Sequence, residues 1–298
     1  MRGQNSSRSV IDYLLFAALA LIWSSSFLFI KIAVVEIPPT TLTAARMIIA
    51  AVLLLLWLRF RGERLSSSPS DWGKFLFIGI VGNILPFYLI SYGELTIDSG
   101  MAAILMGIMP IATVLLAHLA IPDEPFTRLK ALGVSVGFLG VITLVGWDAL
   151  QSLATTTIAQ LAVLGGASCY AVNTVFVRRT TTLSGSVMAA GSQLCGSIII
   201  VPIALFSEAP WLLQPSNEAL GAIIILGIFP TAVATLIYFR IVANLGASTM
   251  SQVNYVIPLL GAGWGVLFLA EQLRTSALLA LLMVLTGLAI VNHARKRL

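Results

Sequence analysis

Along this 298-residue chain the apolar positions do not alternate with polar ones; they fill ten nearly uniform stretches separated by short polar connections. A hydrocarbon core about 30 Å thick takes about 20 residues of helix to cross. The stretches near 11–33, 40–60, 73–93, 98–120, 128–146, 157–177, 185–206, 219–240, 247–269 and 274–293 are each about that long. In lipid every backbone N–H and C=O has to be paired, so runs of this length predict helices, whereas a barrel would show strands of about ten alternating residues. The pattern predicts an all-α integral membrane protein of ten transmembrane helices, with the lipid bilayer as its surroundings. Composition agrees: 58% hydrophobic against 10% charged residues leaves too little polar surface to cover a soluble globule of this length.

The net charge of +5 suggests anionic partners until the charges are sorted by connection, and then it reports orientation. With the N-terminus in the cytoplasm, Arg2, Arg8, Arg59, Arg61, Arg64, Lys74, Arg128, Lys130, Arg178, Arg179, Arg240, Arg295, Lys296 and Arg297 face inward. These are fourteen of the seventeen basic residues, with Lys31, Arg46 and Arg274 left outside. The positive-inside rule then predicts both termini in the cytoplasm, in the inner (plasma) membrane, and no nucleic-acid partner is implied. The outer side carries Glu36, Glu94, Asp98, Asp148, Glu208, Glu218 and Glu271. The basic start followed by an apolar run resembles a signal peptide, but the run is a full span and is read as the first helix. Cys169 and Cys195 fall inside spans and imply neither disulfide nor metal cluster.

An internal repeat carries more meaning. At a spacing of 147, Trp23 falls on Tyr170, Ser26 on Asn173, Phe29 on Phe176, Lys31 on Arg178 and Arg46 on Gln193; at 148, Pro110 falls on Pro258 and Asp123 on Glu271. The chain therefore divides into two units, 1–146 and 147–298, of five spans each. Five is odd, so the second unit enters the membrane from the opposite side and the repeat is inverted. Two such units around a central cavity can exchange packings, closing one face and opening the other.

Trp23-Ser24-Ser25-Ser26-Phe27, Arg46 early in span two, Ser99-Gly100 before the Met-rich fourth span with Pro110, the matching Pro258, and Glu271 closing span nine together resemble the drug/metabolite transporter superfamily in its ten-span EamA form. The resemblance covers nearly the whole chain. It implies export of small metabolites or drugs, with the YddG-type amino-acid exporters as the favoured branch, and a cavity framed by spans three, four, eight and nine. Gln193 in place of a second Arg46 departs from any scheme built on paired cations.

Those four spans carry the helix-breaking and polar residues. Pro86, Pro110, Pro230 and Pro258 lie inside them, and each frees a carbonyl about one turn earlier, which is tolerated only against protein or a wet cavity. The candidate substrate contacts are Asn83, Tyr88, Tyr92, Met106, Tyr238, Gln252, Asn254 and Tyr255, with Thr231 and Thr235 as weaker candidates. Gln252, Tyr255 and Leu259 share one helical face. A buried amide can both donate and accept, which suits an ammonium and a carboxylate together, although the same groups can instead tie helices to each other. Arg46 is a candidate for a substrate carboxylate or for an ion pair with Glu36, Glu94 or Asp98, and the pairing is the more economical account. Gly133-x-x-x-Gly137 and Gly261-x-Gly263-x-Gly265 permit close helix approach, for sliding, for static packing or for dimerisation.

No zinc helix, nucleophile elbow, Walker loop or set of His and carboxylates at metal-ligand spacing occurs, so neither enzyme, cofactor nor metal is expected. No acid lies near the middle of a span, which favours an uncoupled facilitator of a small-molecule substrate acting as a monomer. A proton-coupled exporter of drugs or other metabolites is the alternative, with a membrane enzyme or a channel as distant ones.

Overall fold

The computed structural model describes residues 10–121, 126–150, 154–180, 183–245, 250 and 252–296, excepting the side chains of 146–150, 154, 295 and 296. Arg2, Arg8, Asp123 and Arg297, and the side chains of Trp147, Asp148, Arg295 and Lys296, lie outside this description. Ten helices follow in order: α1 Val10–Val34, α2 Pro39–Arg61, α3 Pro69–Glu94, α4 Ser99–Ala120, α5 Arg128–Leu150, α6 Ala154–Thr180, α7 Gly185–Glu208, α8 Asn217–Leu245, α9 Val253–Leu269 and α10 Thr275–Lys296. Among the described residues, all but α9 are by themselves long and apolar enough to cross a bilayer. The end of the bundle where α1 begins is called the near end below, and the other the far end.

Local chemistry sets the helix limits. Pro39 opens α2 where its missing N–H costs nothing, and Gly62 closes it in the left-handed region at φ 68°. Ser184 and Ser216 accept from Val187 and Ala219 N–H as caps of α7 and α8. The prolines act on the interior. A π turn spans Ile78–Ile84 before Pro86 in α3, and another spans Gly227–Val233 around Pro230 in α8. In α4 the chain tightens at Gly107 and Ile108, bonded to Ile104 and Leu105 three residues back, just before Pro110, which has no N–H to offer Met106.

Carboxylates dock helix ends, where backbone N–H groups have no partner of their own. Glu208, ending α7 at the far end, accepts from Thr40 N at 3.2 Å and Thr41 N at 2.6 Å. At the near end of the same antiparallel pair Glu63, just past α2, accepts from Ser186 Oγ at 2.6 Å beside the start of α7. Glu271 accepts from Ser99 N at 2.8 Å and Gly100 N at 2.9 Å at the start of α4. Glu36 accepts from Ser216 N at 2.6 Å, and this bond with that from the Ser216 hydroxyl holds its carboxyl below the usual carboxylate range. Asp12, buried inside α1, pairs with Arg240 at 3.2 Å and Asn244 at 3.1 Å of α8.

The principal packings are unchanged when each helix is exchanged with the one five places along. α5 packs on α10, α2 on α7, and α4 on α9; α1 on α9 is matched by α6 on α4, α1 on α8 by α6 on α3, and α2 on the π turn of α8 by α7 on the π turn of α3. This is a pseudo-twofold relation between two inverted five-helix repeats. Among the described residues its main break lies between two groups of helices. α1 packs along the far halves of α3 and α4, and α9 along the far half of α4 (Ser99–Met106), while among the described residues the mirror contacts of α6 with α8 and α9 at the near end are not of comparable extent. The near half of α4 (Met109–Ala120) leans on α5, α6 and α10 instead. The groups α1–α8–α9 and α6–α3–α4 thus meet at the far end.

Candidate functional site

At mid-depth the two repeats place a matching bond. In α2, Arg46 Nε donates to Thr231 Oγ1 of α8 at 2.7 Å; in α7, Gln193 Nε2 donates to Asn83 Oδ1 of α3 at 3.2 Å. Both acceptors sit in the π turns and reach back across the widened turn, Asn83 Nδ2 to Ile78 O at 3.2 Å and Thr231 Oγ1 to Leu226 O at 2.8 Å. A side chain that bonds its own backbone is fixed in direction, so each acceptor is presented to its partner helix already oriented. The symmetry ends at the charge, which only Arg46 brings.

Arg46 is 6% exposed and its guanidinium lies 3.8 Å from the centroid of the Phe87 ring. Its terminal amino groups have no hydrogen-bond partner among the described residues, yet they are not sealed from open space. The ion pair expected from sequence does not form among the described residues. Thr231 and Phe87 already hold the group, and Glu36 is taken by Ser216. Arg46 therefore presents up to two N–H-bearing arms in a largely dry place, a geometry suited to a carboxylate.

Besides Phe87, one further aromatic group adjoins it, and an aromatic pair joins α1 to α8. Tyr170 of α6 is a close electrostatic neighbour of Arg46. Trp23 of α1 packs on Tyr238 of α8 with ring centroids 5.8 Å apart. The Trp23 indole N–H and the Tyr170 and Tyr238 hydroxyls have no hydrogen-bond partner among the described residues, and all three side chains are only half-buried. Asn173 of α6 lies against Gly82, where a Cβ would come within 2.6 Å of the amide, and its Oδ1 is buried without a partner among the described residues, as is Oε1 of Gln193.

The remaining sequence candidates scatter. Asn254 and Met106 are half-buried on α9 and α4, and Gln252 is exposed just ahead of α9. The Tyr255 hydroxyl donates to Leu288 O at 2.8 Å and accepts from Asn292 Nδ2 at 2.6 Å, which ties α9 to α10. Leu259, on the same face, is 50% exposed. Tyr88 and Tyr92 stack at 6.2 Å in the far half of α3, Tyr92 exposed. Of the prolines, Pro86, Pro230 and Pro258 are buried and Pro110 half-buried. Trp264 donates to Ser24 Oγ at 2.9 Å. Sequence reasoning missed Tyr170, Asn173 and Gln193 as site residues, although each is the repeat partner of a residue it singled out. Among the described residues no group of His, Cys and carboxylates could hold a metal.

Comparison with known proteins identifies the scaffold. The chain is 22% identical to the uncharacterized transporter YoaV of Bacillus subtilis over 91% of this chain and 93% of that one. It is 26% identical to the protein PagO of Salmonella typhimurium (97% and 95% covered) and 24% identical to the uncharacterized inner membrane transporter YedA of Escherichia coli (92% and 88%). A crystal structure of 20% sequence identity covers 98% of this chain and all of its own with a TM-score of 0.67, a likeness of fold alone. The model of the EamA-like transporter family matches twice, over residues 10–146 and 157–293. With the two matches filling the membrane-spanning part, the chain belongs to the EamA-like transporter family of the drug/metabolite transporter superfamily and is a membrane transporter.

Proposed function

We propose that this transporter exports amino acids, aromatic and other apolar ones foremost, by alternating access and as a facilitator, in the manner of the YddG-type branch it resembles. The observation that carries the reading is Arg46: a cation with open N–H groups at mid-depth, on the Phe87 ring and beside the half-buried Tyr170. The guanidinium suits the carboxylate, the unpartnered Tyr170 and Tyr238 hydroxyls suit the ammonium, and the Trp23–Tyr238 pair suits an apolar side chain.

The break in pseudo-symmetry supports alternating access. Helices α1, α8 and α9 form one group and α6, α3 and α4 the other, so the units 1–146 and 147–298 each lend helices to both. The groups meet at the far end here, and the mirror arrangement would bring them together at the near end. Basic residues support placing the near end in the cytoplasm: Arg59, Arg61, Arg64, Lys74, Arg128, Lys130, Arg178, Arg179 and Arg240 lie there, against Lys31, Arg46 and Arg274 in the far half. On that assignment the site communicates with the cytoplasm in this state.

The test is release of preloaded labelled phenylalanine, leucine and alanine from liposomes holding the purified protein. Release should saturate, show counterflow and persist without a proton gradient. Tyr238→Ala should slow phenylalanine about three- to tenfold, the worth of one aromatic pair, and alanine by less than half of that. Equal slowing of all three would remove Tyr238 from the site, and no carrier-dependent release of any amino acid would refute the substrate class.

A further inference from the structure

Glu94 ends α3 at the far end. Its sequence position is interfacial, yet it is 0% exposed, and neither carboxyl oxygen has a hydrogen-bond partner among the described residues. Every element around it is otherwise engaged. From α1, Lys31 Nζ donates to the main-chain carbonyls of Glu94 at 2.7 Å and Ile97 at 2.8 Å, capping the end of α3. From α2, Arg46 is held by Thr231. Beyond α9, Glu271 is taken by the start of α4. From α6, Ala159 and Val163 pack on neighbouring Gly93 and bring no titratable group. Lys31, Glu271 and Arg46 are the charges that act on the carboxyl.

We infer that Glu94 is a proton-binding site of the far gate: it takes a proton from far-side water while the gate is open, and the gate closes over the neutral acid. Opening the far end has to lift Lys31 from the carbonyls beside Glu94, and that admits water to the carboxyl. Closing again over an ionised group with no donor buries a bare charge, which a protein interior tolerates poorly, whereas a neutral acid is far less costly to bury. Both oxygens are sealed, so the one ligand that fits without displacing anything is a proton. Here the group is sealed from both sides, and its proton returns to the side it came from. Far-side acidity thus favours the closed gate without carrying a proton across, and the facilitator reading stands.

The inference rests on alternating access, and its test reads the gate apart from transport. Ile97, 2% exposed, is replaced by Cys in a chain with Cys169→Ser and Cys195→Ser, and cells are labelled from the far side with a membrane-impermeant maleimide at pH 8 and pH 6. Rates are normalised to Leu212→Cys, 73% exposed at the same end, to remove the thiol's own pH response. Normalised labelling is expected to slow several-fold at pH 6. Glu94→Gln should label slowly at both pH values, and Lys31→Gln faster at both. Asp98 also lies there, exposed, its carboxyl pushed up by partial desolvation and by Glu271 against Lys31 and Arg274, so Asp98→Asn is the control and should keep the parent response. A parent rate independent of pH, a full response in Glu94→Gln, or its disappearance in Asp98→Asn overturns the inference. Absent amino-acid release with this pattern intact overturns only the substrate assignment.

Discussion

Arg46→Gln is expected to leave a folded, inserted protein whose release of carboxylate-bearing substrate falls about 10- to 100-fold, the range of one charge-assisted hydrogen bond of about 1.5–3 kcal/mol. The protein supplies its own precedent for this substitution. Gln193 occupies the equivalent place in the second repeat and bonds Asn83 as Arg46 bonds Thr231, so an amide at 46 can keep the bridge to α8 while removing the charge. Arg46→Ala tests less, because it also leaves Thr231 and the Phe87 face uncovered. The measurement is initial release at several internal concentrations, alongside thermal unfolding. A loss of transport with unchanged unfolding temperature assigns Arg46 to the substrate. Equal release by both proteins makes Arg46 a strut between α2 and α8, and then the proposed carboxylate subsite fails. Arg46→Lys should recover only part of the activity, because an ammonium keeps the charge without the two-armed planar fork.

Span limits were legible because a long apolar run has one solution in lipid: 40–60 became Pro39–Arg61 and 185–206 became Gly185–Glu208. The prolines foretold interrupted helices but not the kind of interruption. A missing N–H says where the ladder weakens, and whether the chain widens, as before Pro86, or tightens, as before Pro110, depends on what packs alongside. Glu94 was misplaced for a related reason. It ends an apolar run, which reads as interfacial, but Lys31 of α1, α2 and α6 close over that end, and tertiary cover leaves no periodic trace. The mid-depth bridge was half legible. The repeat offset matched Arg46 with Gln193, and one residue more matches Asn83 with Thr231, both noted singly without the bond between them being seen. On α9 the face of Gln252 and Tyr255 was chosen by helical spacing, which fixes which residues lie together and not which neighbour they meet; the neighbour of Tyr255 is α10.

Gly287→Val should be the most damaging single change to folding. α5 and α10 cross at glycines: a Cβ on Gly287 would come 2.5 Å from Gly133 O and 2.7 Å from Gly137 N, and one on Gly133 would come 2.7 Å from Gly287 O. These obstacles are backbone, which cannot turn aside as a side chain can, so the helices must part along their shared length. Overpacking that side chains can absorb costs about 1–3 kcal/mol, and separation of two main chains belongs at or beyond the top of that range. The Gly133-x-x-x-Gly137 pattern is therefore spent on contact within the chain. Gly263 is the counter-example on α9: a Cβ there meets nothing within 4 Å, so Gly263→Ala should be neutral or stabilise by up to about 1 kcal/mol through the better helix propensity of alanine. Monodisperse yield and unfolding temperature in detergent separate the two. If Gly287→Val unfolds at the parent temperature, α5 and α10 approach less closely in the membrane than these contacts require. If Gly263→Ala is the more damaging change, α9 packs against something on that face within the bilayer, and a partner subunit would have to be sought there.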